Sequence, residues 1–198
     1  PIVGETFTEA SDQLGFNLWQ MVSEGPKESL NQTINTQPAM LTAGVATWRV
    51  WQQQNGLEPS VMAGHSLGEY AALVCSGALD FSEAVKLVAE RGRLMQEAVP
   101  EGEGAMAAIL GLDDDQVRTV CGSAAEGGVV EAVNFNAPGQ VVIAGSADAV
   151  QRATVLAKEA GAKRALPLPV SVPSHSSLMR QAAERFGSAM APIVIHPP

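Results

Sequence analysis

Positive charge is scarce in this chain. Its 198 residues hold 12 Lys and Arg against 21 Asp and Glu, a formal net charge of −9. With so few cations no basic stripe can offset phosphate, which excludes nucleic acid as a partner. Cysteine is scarcer: Cys75 and Cys121 are the only two. They are too few for a disulfide framework and lack metal-ligand spacing, so a reduced, cytoplasmic setting and no bound metal are expected. No apolar run nears the ~18 residues of a membrane span, and nothing resembles a signal peptide. No membrane association is expected. Repeats and low-complexity tracts are also missing. What remains is globular, with 46% hydrophobic residues to build the core of one domain, or of one domain carrying a smaller insert. The chain opens on Pro1 rather than Met and stops just after Ile193-Val194-Ile195 in loop-like sequence. That pattern suggests a piece of a longer protein.

The informative feature is Gly64-His65-Ser66-Leu67-Gly68, a G-x-S-x-G pentapeptide. It follows the apolar run Val61-Met62-Ala63, read as a strand at about 60–64, and precedes the helical stretch Glu69 to Val74. Strand, glycine-flanked serine and helix make a nucleophile elbow, a strained turn that exposes the serine hydroxyl. The bland alternative is a glycine-rich turn with Ser66 as helix N-cap.

Helices are expected at 5–15, from Thr36-Gln37-Pro38 to Gly56, and from Asp80 to about Ala98. Pro38 suits a first helical turn and Gly56 a left-handed cap. The tryptophans read as packing anchors. The pattern then changes to strand (104–110), helix (113–125), strand (129–133), strand (140–144), helix (146–160) and strand (165–170). That order is the split βαβ of a ferredoxin-like βαββαβ unit. It assigns 102–171 to a small inserted subdomain and 1–101 with 172–198 to the domain bearing the elbow. A helix at about 176–190 closes the chain.

A serine hydroxyl needs a base at neutral pH. Of the three histidines, His65 adjoins the serine, so its side chain should project away and line the pocket or play a structural part. His196 is near the chain end. His175, after Pro173-Ser174 and at a helix start, is the best placed. Arg91 on a largely apolar helix has the planar fork that grips a carboxylate. Spacing alone favours instead an ordinary ion pair with Glu90 or Glu97. Asn134 and Asn136, in what reads as a loop ending Pro138-Gly139, either bond substrate or hold that loop, and loop structure is favoured. Neither Asp80 nor Glu69 has a clear claim as a third triad member.

Taken together, these stretches resemble the malonyl-CoA:acyl carrier protein transacylases. The matching segments are Thr36-Gln37-Pro38-Ala39, Gly64 to Tyr70, Glu90-Arg91-Gly92, Met95-Gln96, Gly104 to Ala108, Asn134 to Gln140 and Val172 to His175. The resemblance implies an α/β fold: a hydrolase-like parallel-sheet domain, here incomplete, with the ferredoxin-like insert. It implies an acyltransferase in which Ser66 takes malonyl from coenzyme A and passes it to the phosphopantetheine thiol of acyl carrier protein. His175 would be the base, Arg91 the carboxylate clamp and the Leu67 N–H an oxyanion donor, with His65, Asn134 and Asn136 lining the site. No cofactor is implied beyond the coenzyme A thioester, which is substrate. A backbone carbonyl orients the family's histidine, so no acid is needed. A serine esterase or thioesterase and a polyketide synthase acyltransferase domain are the alternative readings. Lys86, Arg93, Lys163 and Arg164 are candidates for a basic patch facing an acidic carrier protein. The family's Gly-Gln-Gly-x-Gln loop, which supplies a second oxyanion donor, and its later strands are not in this sequence. The piece alone is therefore expected to be poorly stable and weakly active or inactive.

Overall fold

The computed structural model describes residues 1–170 and 172–198. Two compact units emerge, Pro1–Leu94 with Phe186–Pro198, and Met95–Arg185. The expected subdomain edge at 171 falls on Ser171, outside the described residues.

The second unit contains β1 (Gly104–Leu110), α7 (Asp114–Ala124), β2 (Val130–Ala137), β3 (Gln140–Ser146), α8 (Ala147–Glu159) and β4 (Arg164–Pro167). They form a four-stranded sheet in the order β2-β3-β1-β4, antiparallel throughout. Side chains alternate across it with the period of two that a pleated strand imposes. Ala107, Ile109, Val141 and Ile143 pack beneath Val117, Val120 and Cys121 of α7 and Ala149, Val150 and Ala153 of α8. The intervening Met106, Val142 and Ala144 form a smaller cluster of their own. Asp113 starts α7 with a reciprocal capping box to Gln116, satisfying two donors that a helix start leaves open.

One expectation fails here. Asn134 and Asn136 do not lie in a loop, because β2 runs on to Ala137. Phe135 pairs with Val141 and Ala137 with Gln140, leaving Pro138-Gly139 as the turn. Register shifts at Ala132/Asn134 and Phe135/Ala137 explain how an Asn- and Ala-rich stretch stays in the ladder: bulges absorb residues that regular pairing would not.

The first unit is helical: α1 (Ile2–Leu14), α2 (Leu18–Glu24), α3 (Lys27–Leu30), α4 (Thr33–Gln53), α5 (Gly68–Cys75), and α6 (Phe81–Ala98) as far as Leu94. Helix α9 (Arg180–Met190) enters it at Phe186. Phe7, Ala10, Leu18, Leu41, Val45, Phe81, Val85 and Val88 form its core. Asp80 accepts from the Glu83 N–H at 3.0 Å, so it acts as a helix cap rather than a catalytic acid.

Four details differ from expectation. Helix α4 begins at Thr33, so Pro38 sits inside it rather than in its first turn. The bond that Pro38 cannot donate is offset by ties at the helix start, where Thr36 Oγ1 donates to Leu30 and Asn35 Nδ2 to Ser29. At the other end Asn55, not Gly56, takes the left-handed conformation, with φ 54°. Gly56 serves for space, because a Cβ there would lie 2.2 Å from the Trp51 indole. Trp19 and Trp51 are half exposed: Trp19 meets Phe7 edge-on, and Trp51 bonds the Leu57 carbonyl. Finally, Val61 to Gly64 is not a strand, and the first unit holds no strand among the described residues. An extended segment becomes a strand only through ladder bonds to a neighbour, and no described residues supply one. Among the described residues no helix is long and apolar enough to cross a membrane.

Candidate active site

The turn at Ser66 is built as the motif demands. Ser66 has φ 53°, a left-handed conformation that is uncommon outside glycine and concentrates at functional sites. The Gly68 N–H donates to His65, Glu69 to Ser66 and Tyr70 to Leu67, so the chain passes from the turn directly into α5. A Cβ on Gly64 would come within 2.0 Å of the Gly68 backbone. Only glycine permits that approach. The helix N-cap is Leu67, and no side chain caps it, so the Ser66 hydroxyl is not spent on capping. The Leu67 N–H makes no hydrogen bond among the described residues. It is a donor held beside the hydroxyl without an acceptor.

Arg91 meets that hydroxyl. Its Nη2 donates to Ser66 Oγ at 3.2 Å and its Nη1 to Gln37 Oε1 at 2.7 Å. The close approach of helices allows this: a Cβ on Gly92 would sit 2.7 Å from the backbone of Thr33 and Ile34, so α6 abuts the start of α4 and Gln37 reaches Arg91. The Arg91 Cζ lies 5.8 Å from the Tyr70 ring centroid, within cation–π range. Burial pulls the Arg91 pKa below its ordinary value, opposed by Tyr70, through its charge and a side-chain hydrogen bond, and by the nearby Glu69 carboxylate. Burial likewise raises Tyr70, with Arg91 opposing.

The ion pairs that spacing favours are not formed. Glu90 is engaged by Arg93 at 2.6 Å and Glu97 by Arg185 at 3.2 Å. Among the described residues Arg91 has no carboxylate partner. Glu69 acts on it only through space, and a half-buried guanidinium whose hydrogen bonds go to neutral groups keeps room for an anion as direct partner.

Ser66, His65, Leu67 and Arg91 thus share one unit, and the structure brings Ser66, Leu67 and Arg91 together. His65 is exposed on the turn. His175, Asn134 and Asn136 belong to the other unit. His175 is exposed with φ 66°, in the left-handed region like Ser66. It is flanked by buried Pro173 and by Ser176, whose hydroxyl donates to the Pro173 carbonyl at 2.7 Å. The Ser177 N–H donates to Glu131 at 2.6 Å, tying this segment to β2. Asn134 is half-buried and Asn136 exposed. His196 is exposed, its N–H donating to the Ala78 carbonyl at 2.9 Å. No group of three or more His, Cys, Asp or Glu able to hold a metal occurs among the described residues.

Sequence reasoning missed Gln37 and Tyr70 as site residues. Gln37 is 5% exposed on a largely apolar helix face. A glutamine at a core position was its available signal. Tyr70 is the only tyrosine in the chain and follows the elbow at once.

Comparison with known proteins bears on this geometry. The family model for the acyl transferase domain matches residues 6–198. The malonyl CoA-acyl carrier protein transacylase of Escherichia coli K12 is 62% identical over the whole chain, which spans 64% of that relative's length. The Bacillus subtilis protein of the same name is 50% identical over 94% of the chain and 59% of its own length. The crystal structure of an acyl carrier protein S-malonyltransferase from Vibrio cholerae superposes with a TM-score of 0.94 at 60% identity, covering 100% of this chain and 64% of that one. A malonyl-transacylase solved in complex with a holo type II PKS acyl-carrier protein superposes with a TM-score of 0.98 at 57% identity, with the same coverage.

Proposed function

The chain belongs to the acyl transferase domain family, and on that premise we propose that it carries the acyl-selecting and nucleophilic machinery of a malonyl transferase. The substrate is malonyl-CoA and the acceptor is the phosphopantetheine thiol of an acyl carrier protein. Ser66 Oγ attacks the thioester carbonyl while His175 takes its proton. The Leu67 N–H donates to the oxyanion that develops, where a fixed donor gains most. The tetrahedral intermediate collapses, the C–S bond breaks, and coenzyme A leaves as the thiol with the proton from His175. A malonyl ester remains on Ser66. The carrier thiol then repeats the sequence, His175 taking its proton and returning it to Ser66. Throughout, the Arg91 fork holds the distal carboxylate. His65, Asn134 and Asn136 are assigned as pocket-lining groups.

One observation carries the reading: Arg91 donates to the nucleophile and forms no ion pair among the described residues. A plain acyl chain would leave that guanidinium without a contact ion pair, which disfavours an esterase or thioesterase. The β2-β3-β1-β4 sheet supports reading residues 102–171 as a ferredoxin-like subdomain inserted in a hydrolase-like domain formed by 1–101 and 172–198. Two free cysteines accord with a cytoplasmic setting.

Intact mass after brief exposure of the full-length polypeptide to malonyl-CoA tests the function. A malonyl adduct is expected, absent in Ser66→Ala and scarce with acetyl-CoA. In Arg91→Ala the malonyl-to-acetyl ratio should fall about 10²-fold, the scale of a lost charge-assisted pair. Equal labelling by both thioesters would overturn the reading.

A further inference from the structure

The clamp has to be specific as well as charged. An arginine side chain carries many rotamers, and each costs selectivity unless the guanidinium is held. On the reading of Arg91 as the carboxylate clamp, we propose that Tyr70 is a positioning residue that fixes the guanidinium plane, so that a side chain the substrate does not touch sets acyl selection at Ser66.

Three elements converge on Arg91 from α6: α4 through Gln37, the elbow through Ser66, and α5 through Tyr70. Tyr70 is fixed at both ends. Its N–H bonds the Leu67 carbonyl at 3.1 Å, which ties it to the turn carrying the nucleophile. Its ring meets Phe186 edge-on, with centroids 6.2 Å apart and planes at 71°, a favoured aromatic geometry. A ring suits the task better than a carboxylate. A carboxylate would neutralise the guanidinium and compete with the substrate for its N–H groups. A π face attracts the cation through its quadrupole and leaves the N–H edges open. Gln37 and Ser66 together occupy two donor nitrogens, and the fork has five N–H groups. Acylation turns Ser66 Oγ into an ester oxygen, a weaker acceptor. Nη2 is then released toward the carboxylate, and Gln37 and Tyr70 are the tethers that remain.

The test measures single-turnover acylation of Ser66 by malonyl-CoA and by acetyl-CoA in the full-length polypeptide. Tyr70→Leu, which removes the π face, should lower the malonyl-to-acetyl ratio about tenfold. Tyr70→Phe, which keeps the π face but loses the hydroxyl that also acts on Arg91, should lower the ratio less than Tyr70→Leu does. In an Arg91→Ala background the Tyr70→Leu penalty should vanish, because the two residues act as one unit. If Tyr70→Leu does not fold by circular dichroism, Tyr70→Met carries the same expectation with a flexible chain of similar reach. Malonyl and acetyl rates falling together, or a penalty that persists in Arg91→Ala, would reduce Tyr70 to a packing residue. If wild type shows no malonyl preference, or Arg91→Ala keeps it, the clamp reading falls and this proposal with it. If the clamp behaves as expected while Tyr70 variants keep full selectivity, only this proposal falls.

Discussion

The two units spend their backbone differently. The second closes on itself: its four strands pair with one another, its helix α7 is capped reciprocally, and its core alternates cleanly across the sheet. Among the described residues, the first keeps an irregular run at Val61–Gly64, a left-handed serine, an N–H without acceptor and a guanidinium without an ion pair. Each of those features costs stability. They cluster within one turn and one helix face, which is where scaffold gives way to chemistry.

Two glycines test that contrast most severely. A Cβ on Gly145 in β3 would lie 1.9 Å from the Val129 carbonyl oxygen, and one on Gly64 would lie 2.0 Å from the Gly68 backbone. Neither neighbour is a movable side-chain end. Gly145→Ala should strain the paired sheet and destabilise the protein by about 3 kcal/mol or more, seen as a lower urea midpoint. Gly64→Ala should instead displace Ser66, cutting acylation about 10²-fold or more while the urea midpoint moves less. The contrast breaks if Gly64→Ala unfolds the chain while Gly145→Ala is tolerated.

A second test uses two arginines on α6. Arg93 forks onto Glu90, both partly exposed, whereas Arg91 forms no ion pair among the described residues. Arg91→Lys keeps the charge but loses the planar fork, so the malonyl-to-acetyl ratio should fall about tenfold. Arg93→Lys should leave both selectivity and stability nearly unchanged, since exposed pairs contribute little.

The same contrast decides what the sequence could reveal. Helices α1, α6, α7 and α8 were legible from periodicity, and the strand-helix order of the second unit from alternation, because those signals are local and their partners lie close in the chain. The elbow was legible because Gly64 answers to a backbone contact with Gly68, which the G-x-S-x-G spacing encodes. The full length of β2 was not, since Asn134, Asn136 and Ala137 are poor strand formers kept in place by their pairing with β3. The sequence also hid Arg91's isolation. Glu90 and Glu97 stand at plausible spacing, and only the tertiary arrangement shows them taken by Arg93 and Arg185. Gln37 and Tyr70 went unnoticed for the same reason: their partner is remote in sequence.

Each unit also carries one free thiol, and the buried one gives the contrast a pH dependence. Burial, with a smaller contribution from Glu131, raises Cys121 from 9.0 to about 11. The folded state therefore holds this proton where the unfolded chain releases it. Its stabilisation is complete below pH 9 and is lost as pH climbs toward 11, at up to about 1.4 kcal/mol per pH unit. The gap in urea midpoint between wild type and Cys121→Ala should accordingly narrow from pH 8 to pH 10.5. A constant gap would mean that the thiol is hydrated in the folded protein.

The smallest effect concerns a polar group in the first unit that has no evident chemical use. Thr36 and Thr47 on α4 both donate their hydroxyls to the carbonyl four residues earlier, as threonines in helices often do. Thr42 on the same helix is fully buried, and its Oγ1 has no hydrogen-bond partner among the described residues. The carbonyl it would otherwise use is that of Pro38. An unmet buried hydroxyl costs roughly 1 kcal/mol or more, whereas valine fills nearly the same shape without it. Thr42→Val should raise the urea midpoint by an amount equivalent to about 1 kcal/mol and leave acylation of Ser66 unchanged. A loss of stability would mean that the hydroxyl meets water or another partner in solution. A loss of acylation would extend the polar group around Gln37 and Arg91 one helical turn further along α4, drawing into the chemistry a residue that now belongs with the scaffold.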